Sequence, residues 1–321
     1  MNRPLLFSTL LALGVLGAGE GTAQVPARFY WKTLSGARAV PVIINSLSGN
    51  SNPFDPGHTV TAGASVDATV AIAGYARTFS VFGRAAMAAV LLPMGRISGQ
   101  VTVANQAVDQ AAKGFGDPMI EADLNIIGRR PQRTLPDALR YQPGFSADLI
   151  TDLAVPLGEY DSGQQLNLGQ NRWYGRVGAP IVWQIGAWVP GRRTTLELLP
   201  AVWVFGDNNN YVGQTLETKP MFQVDGHLTR DLTERAWVSL DGSWYTGGQP
   251  TVNGVQGSSL NNLGVGLTVG YPVNENLNLT LGYKSTVNDD APGDLRMGGF
   301  LVSLVYGWHP LLEGVRRLKG E

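Results

Sequence analysis

Apolar and polar residues alternate along this chain in stretches of about ten positions, recurring almost to the C-terminus. Leu277, Leu279, Leu281 and Tyr283 share one face of such a stretch, while Asn276, Asn278, Thr280, Gly282 and Lys284 share the other. The next stretch puts Phe300, Val302, Leu304, Tyr306 and Trp308 on its apolar face. Successive strand side chains point to opposite sides, so repeating the pattern makes a sheet with one apolar and one polar face. Such a sheet packs against a second sheet or faces lipid, and in lipid its polar face encloses a lumen.

Pattern and turn signals place strands at residues 38–47, 64–75, 79–92, 116–128, 144–156, 172–186, 194–206, 215–229, 235–246, 259–272, 276–287 and 296–308. Twelve is even, as a bacterial single-chain barrel with both termini on one side requires. The connections support the count because they alternate in length. Tight joints at 75–79, 187–193, 230–234 and 272–276 fall between long polar loops at 48–63, 93–115, 158–171, 206–214, 246–258 and 288–294. Outer-membrane barrels have short periplasmic turns and long outer loops, so the expected fold is all-β, a closed antiparallel transmembrane β-barrel of about 12 strands. One connection, 129–143, is long yet falls on the periplasmic side. Tyr75, Phe79, Trp173, Trp183, Trp188, Trp244, Tyr271, Tyr283 and Trp308 lie near strand ends, where a lipid-facing barrel carries its aromatic girdles.

Composition narrows the class. Residues 1–23 carry Arg3, an apolar run from Leu5 to Val15, and small residues at Gly21 and Ala23, which predicts a signal peptide cleaved before Gln24. The chain then divides into a periplasmic N-terminal segment at 24–37, the barrel at 38–308 and a periplasmic tail at 309–321. There is no cysteine, so disulfides and thiolate metal sites are excluded. With 24 Lys and Arg against 25 Asp and Glu, nothing suggests a nucleic-acid surface. Charged residues are only 15% of the chain, below the quarter usual in soluble domains, which leaves less surface for water and shifts the balance toward lipid.

The alternation assigns Asp67, Arg84, Glu121, Asp123, Asp148, Asp152, Arg176, Glu197, Asp225, His227, Asp241 and Lys284 to the lumen face. Arg or Lys facing lipid at the bilayer midplane costs about 2–4 kcal/mol, which favours the inside. Carboxylates outnumber bases in this set, predicting preference for cations or protons retained through mutual repulsion. The same phase turns Ala71, Ala73, Ala86, Ala88, Gly264 and Gly266 inward and leaves room there. A salt-bridged filling, with Arg84 and Arg176 each pairing two carboxylates, is the alternative to a conducting lumen.

Catalytic chemistry has thin support. Among the three histidines, His227 with Asp225 and Ser239 or Ser243 makes the best nucleophilic set, in a place ill suited to a lipid substrate. Asp289, Asp290 and Asp294 match no calcium-loop spacing, and the Asn278 glycosylation pattern sits in mid-strand. No catalytic residue, metal site or cofactor is expected.

Five segments remain: Gly74 to Arg77; Gly114-Phe115-Gly116-Asp117-Pro118; Pro156-Leu157-Gly158-Glu159-Tyr160-Asp161; Asn167-Leu168-Gly169-Gln170-Asn171-Arg172-Trp173; and Asp207-Asn208 through Tyr211 to Gly213. From about Phe29 to Trp308 the chain resembles the bacterial outer-membrane proteins labelled as transporters of the MetA pathway of phenol degradation. The resemblance implies a Gram-negative outer-membrane barrel that lets small organic molecules, aromatic ones among them, cross passively, with lipid and a small-molecule solute as its partners. An outer-membrane enzyme acting on lipid or envelope components, or a structural barrel with a closed lumen, is the alternative. Physically the blocks read as strand-end turns, with Gly116, Asp117 and Pro118 starting a strand and Gly158 to Asp161 opening an outer loop. The chain departs from the usual barrel ending, because thirteen residues, His309 to Glu321, follow Trp308.

Overall fold

The computed structural model describes residues 26–319 except 62, 104–105, 129, 288–290 and 292. The expected signal peptide, and Asp289 and Asp290, lie outside the described residues. Twelve antiparallel crossings close into a ring. In chain order they are β1 (Arg38–Gly49), β2 (Ser65–Val81), β3 (Arg84–Val103), β5 (Met119–Ile127), β6 (Phe145–Ala154), the pair β7 (Tyr174–Gly178) and β8 (Ile181–Gln184), β9 (Thr194–Phe205), β12 (Met221–Asp231), β13 (Trp237–Gly247), β16 (Leu260–Pro272), β17 (Leu277–Thr286) and β18 (Met297–Trp308). β9 pairs β12, and β18 returns to β1 with Arg38 opposite Trp308 and Gly49 opposite Met297. β7 and β8 are one crossing interrupted at Ala179 and Pro180, where proline removes a ladder donor.

The outer surface is the apolar one. Val42, Ile44, Leu240, Leu267, Phe300, Val302 and Leu304 all stand exposed, Leu240 at 62% and Phe300 at 65%. Each unpartnered backbone group in hydrocarbon costs several kcal/mol, so closure of the ladder and an apolar exterior together describe a membrane barrel. Tyr75 packs 6.3 Å from Trp308 and Tyr306 5.8 Å from it, a cluster at the periplasmic rim. Trp188 does not join this girdle; its ring lies 4.7 Å from Trp31.

Several expected boundaries move. The tight joint expected at 75–79 is instead made by Phe82 and Gly83, both with positive φ (48° and 75°), the geometry a two-residue hairpin needs. Most of the outer loop expected at 93–115 is a hairpin: β3 runs on past β5 and pairs there with β4 (Gln106–Phe115). Loops above β9 and β13 form a second sheet from β10 (Asn208–Tyr211), β11 (Gln214–Thr218), β14 (Pro250–Val252) and β15 (Val255–Gln256). In the 129–143 connection, Thr134 caps a short helix, α1 (Leu135–Leu139), through a reciprocal bond with Asp137. The tail contains α2 (Pro310–Lys319).

The inward phase expected on β2 and β3 is reversed. Val66, Ala68, Val70 and Ile72 are buried and point into the barrel, where they join Phe54 and Leu168 in one apolar cluster. Asp67 therefore lies exposed on the outer side, taking a 2.7 Å hydrogen bond from Ser48. Arg84 is exposed as the first residue after the periplasmic turn. On β3 the inward residues are Met87, Ala89 and Leu91, opposite Asp123, Glu121 and Met119, so Ala71, Ala73 and Ala88 are out of phase with the lumen wall, while Ala86 is buried beside the N-terminal segment.

Candidate functional site: the lumen

The remaining ten expected lumen residues lie on the inner wall. Glu121, Asp123, Asp148, Asp152, Arg176, Glu197, Asp225, His227 and Asp241 are buried, and Lys284 is partly buried over Gly266. Strand register arranges most of them in two rungs. In the first, Glu121 stands opposite Asp152, Asp152 opposite Arg176, and Arg176 opposite Trp203. In the second, Glu197 faces His227, His227 faces Asp241, and Asp241 faces Gly266, which in turn faces Lys284. A Cβ on Gly266 would meet Lys284 Cγ at 2.8 Å, so the glycine makes room for the lysine stem.

The first rung is held tightly at its centre and loosely at its edges. Arg176 Nε donates to Asp152 Oδ2 at 2.5 Å, and its guanidinium lies 5.2 Å from the Trp203 ring. Trp203 Nε1 donates to Gln223 Oε1, and Gln223 Nε2 to Asp225 Oδ2. Yet Asp152 Oδ1, Asp225 Oδ1, Arg176 Nη2 and the hydroxyl of Tyr30 have no hydrogen-bond partner among the described residues. Buried polar groups are nearly always bonded, so this set keeps capacity for water or for a passing polar group.

The second rung tests the catalytic alternative. His227 Nδ1 lies 2.7 Å from Asp241 Oδ1, and Ser239 Oγ donates to that same oxygen at 2.6 Å. Thr268 Oγ1 donates to the other carboxylate oxygen, Oδ2. A hydrolytic nucleophile must hand its proton to the imidazole, with the carboxylate behind the histidine. Here Asp241 holds the ring at Nδ1, but Ser239 bonds to that carboxylate and not to Nε2, which has no partner among the described residues, so Ser239 is not positioned as the nucleophile.

Sequence reasoning misses the occupant of the periplasmic mouth. Residues 26–37, expected as a periplasmic lead-in, bond to inner-wall side chains. Arg28 pairs with Asp231 at 2.7 Å and its backbone N–H donates to Glu197 Oε2, while Trp31 Nε1 donates to Glu197 Oε1 at 2.8 Å. Lys32 pairs with Asp148 and, at 3.2 Å, with Asp123. Gln132 from the long periplasmic connection donates to Lys32 O and accepts through its backbone from Ser35 N–H. His309 Nε2 lies 3.0 Å from Ser35 O. The signal is present in the chain as Arg28-Phe29-Tyr30-Trp31-Lys32, a cation-flanked aromatic run next to a carboxylate-rich lumen.

At the outer mouth, three of the recognised blocks meet. A Cβ on Gly158 would lie 2.6 Å from Gly116 C and 2.7 Å from Gly169 Cα, so the three backbones touch. Asp117, fully buried between them, accepts from Gly158 N–H at 2.8 Å and Gln170 N–H at 2.7 Å. The loop between β1 and β2 locks onto this knot, because Asn52 donates to Asn167 O and Arg172 pairs with Asp55 at 2.8 Å. Burial alone would raise the Asp55 carboxyl, but Arg172 and the donors Gly57 N–H and Thr59 Oγ1 outweigh it and hold it below its ordinary value. His58, its ring 5.3 Å from Tyr245, is buried enough to fall to about 4. Asp294, at the edge of the opposite loop, bonds within its own turn, and among the described residues no acidic or histidine cluster suits a metal.

The comparisons with known proteins follow this geometry. A family model described as "Putative MetA-pathway of phenol degradation" matches residues 49–303. The crystal structure of the COG4313 outer membrane channel from Pseudomonas putida F1 is similar in fold, with a TM-score of 0.68 at 17% identity over 88% of this chain and 98% of that one. The beta domain of the Bordetella autotransporter Brka gives a TM-score of 0.48 at 12% identity, over 85% of this chain and 100% of that one. No curated protein matches.

Proposed function

We propose, from the premise that this chain belongs to the family described as putative MetA-pathway of phenol degradation, that it is a passive outer-membrane channel for small organic molecules, aromatic ones included. The observation that carries this reading is the unlikeness of the two lumen walls. Ile43, Val70, Ile72, Leu91 and Ile97 face inward on one side, packed with Phe54 and Leu168, and the Glu121-Asp152-Arg176 rung faces inward on the other. A solute with a ring and a polar group slides its ring along the first wall and exchanges hydrogen bonds with the second. Neither a wholly wet nor a wholly packed interior offers both. Passage follows the concentration gradient, and no catalytic residue is assigned. Export through a signal peptide at 1–23 belongs to the same reading.

Liposome swelling with the purified, reconstituted protein tests it. Entry of arabinose or benzyl alcohol at rates above protein-free vesicles is the expected result, and impermeability to every small solute removes the channel. Ile72→Asp is expected to slow benzyl alcohol more than arabinose. Arg28 and Lys32 offset part of the carboxylate excess, and the remainder favours cations. Reversal potentials in planar bilayers showing anion preference overturn that component alone.

A further inference from the structure

At the periplasmic rim the apolar outer surface of the barrel gives way to a pair of arginines. Arg38 on β1 and Arg77 on β2 stand directly opposite each other across the antiparallel ladder, and Trp308 on β18 faces Arg38 from the other side. Their chain neighbours Ala37, Ala39 and Ala76 are buried on the inner side, so both arginine side chains leave the strands outward, on the face that carries Tyr75, Tyr306 and Trp308. We propose that this face of the rim is a binding site for one net-anionic phospholipid of the periplasmic leaflet, its phosphodiester held between the two guanidinium groups and the start of its acyl chains against the aromatic rings. The site lies on the outside of the wall and stands apart from whether the lumen conducts.

Charge calls for an occupant. Like charges directly opposite each other destabilise a sheet, so the pair carries a cost that an anion would offset. The chain supplies none. Among the described residues neither arginine enters an ion pair, and Arg38 Nε is buried without a hydrogen-bond partner. The outward residues beside them at this end, Val40, Tyr75, Leu304 and Tyr306, include no carboxylate. A phosphodiester fits the vacancy in charge, because a guanidinium grips phosphate oxygens through two parallel N–H bonds. Arg77 is exposed, so a headgroup reaches it without any rearrangement of the wall.

Depth identifies the source. Tyr and Trp rings collect where acyl chains meet headgroups, and the Tyr75 and Tyr306 rings lie 6.3 and 5.8 Å from that of Trp308. Arg77 follows Tyr75 by two residues toward the periplasm, a step of ~7 Å along the strand, which carries its charge from the ring level to the phosphate level of the same leaflet. Lipopolysaccharide phosphates belong to the opposite leaflet, and a soluble phosphate gains nothing from the rings. Net charge then selects the headgroup. A zwitterionic lipid brings an ammonium group along with its phosphate, which two unpaired arginines repel, whereas a net-anionic one does not.

The test is native mass spectrometry of the full mature protein in detergent, titrated with phosphatidylglycerol and with phosphatidylethanolamine of the same acyl chains. Each variant is first shown to keep the folded, heat-modifiable gel form. One tightly held phosphatidylglycerol per chain is expected, with phosphatidylethanolamine at least fivefold weaker. Combining Arg38→Gln with Arg77→Gln is expected to weaken phosphatidylglycerol at least tenfold, and Arg77→Gln alone at least threefold, which keeps the test open if the double variant does not fold. Arg235→Gln removes an exposed charge in the turn between β12 and β13, outside the pair, and is expected to change the affinity less than twofold. Equal phosphatidylglycerol binding by wild type and by Arg77→Gln overturns the site. A loss in Arg235→Gln as large as that in Arg77→Gln also overturns it, because the attraction then belongs to the whole rim. Equal binding of the two lipids overturns the assigned headgroup.

Discussion

The outer-mouth knot and the mid-lumen rung are both buried and polar, yet they treat their hydrogen bonds in opposite ways. In the knot, Asp117 spends its two oxygens on backbone donors, and three glycines bring backbones into contact. In the rung, Asp152 Oδ1, Asp225 Oδ1 and Arg176 Nη2 have no hydrogen-bond partner among the described residues. A saturated network resists change because every loss leaves a buried group unbonded. An unsaturated one keeps bonding capacity that a rearrangement or an entering polar group can use. Three of the five blocks recognised in the sequence form the first kind of region, where they hold the frame of the outer mouth.

The sharpest way to break the contrast is Gly158→Val. Its neighbours at the Cβ position are backbone atoms at 2.6 and 2.7 Å, which have no rotamer to yield, so destabilisation of about 3 kcal/mol or more is expected. The fraction of folded, heat-modifiable protein measures it, and a normal fraction shows that the three backbones do not need to touch.

Acid probes the same region. His58 is neutral in the fold because its pKa lies near 4, against 6.5 when exposed, so its stabilising contribution is complete above pH 6.5 and lost as the pH falls toward 4. That interval is worth ~3 kcal/mol at most, and protonation of Asp55 at still lower pH acts in the same direction. Thermal melts between pH 7 and 4 are expected to show this loss in the wild type and a flatter profile in His58→Phe. Parallel profiles would exclude the loop as its source.

Asp117→Ala removes one carboxylate from two N–H donors and is expected to cost about 2 kcal/mol in denaturant unfolding. Glu121→Gln closes the series. The amide keeps the shape of the carboxyl and one acceptor oxygen beside Asp152, so stability is expected to stay within about 1 kcal/mol while the conductance changes. A larger stability loss than that of Asp117→Ala would invert the comparison.

Alternation made the twelve crossings and the outward faces of β17 and β18 legible, because Leu279 and Phe300 contrast sharply with Thr280 and Gly299. On β2 the same rule fails. Val66, Val70 and Ile72 alternate with Asp67, Thr69, Ala71 and Ala73, and the charge on the second face points it toward the lumen, the opposite of where it lies. What decides between them is Phe54 and Leu168, an apolar lining supplied by distant loops. The rungs were legible as a set of residues but not as rows, since register depends on turn geometry that periodicity does not encode. The segment 26–37 was not legible as an occupant of the lumen because it has no period of its own, and its partners Glu197 and Asp231 lie far along the chain.

The seam between β1 and β18 joins the first twelve strand residues to the last twelve, the longest-range pairing in the ring. A ribosome finishes every strand from β1 to β17 before the second partner of β1 exists. A polypeptide ending anywhere upstream of Met297 would therefore present two bare edges of unsatisfied amides and carbonyls, ready to recruit a neighbour's strand. Quality control of this protein thus reduces to a single question, whether its final strand has arrived.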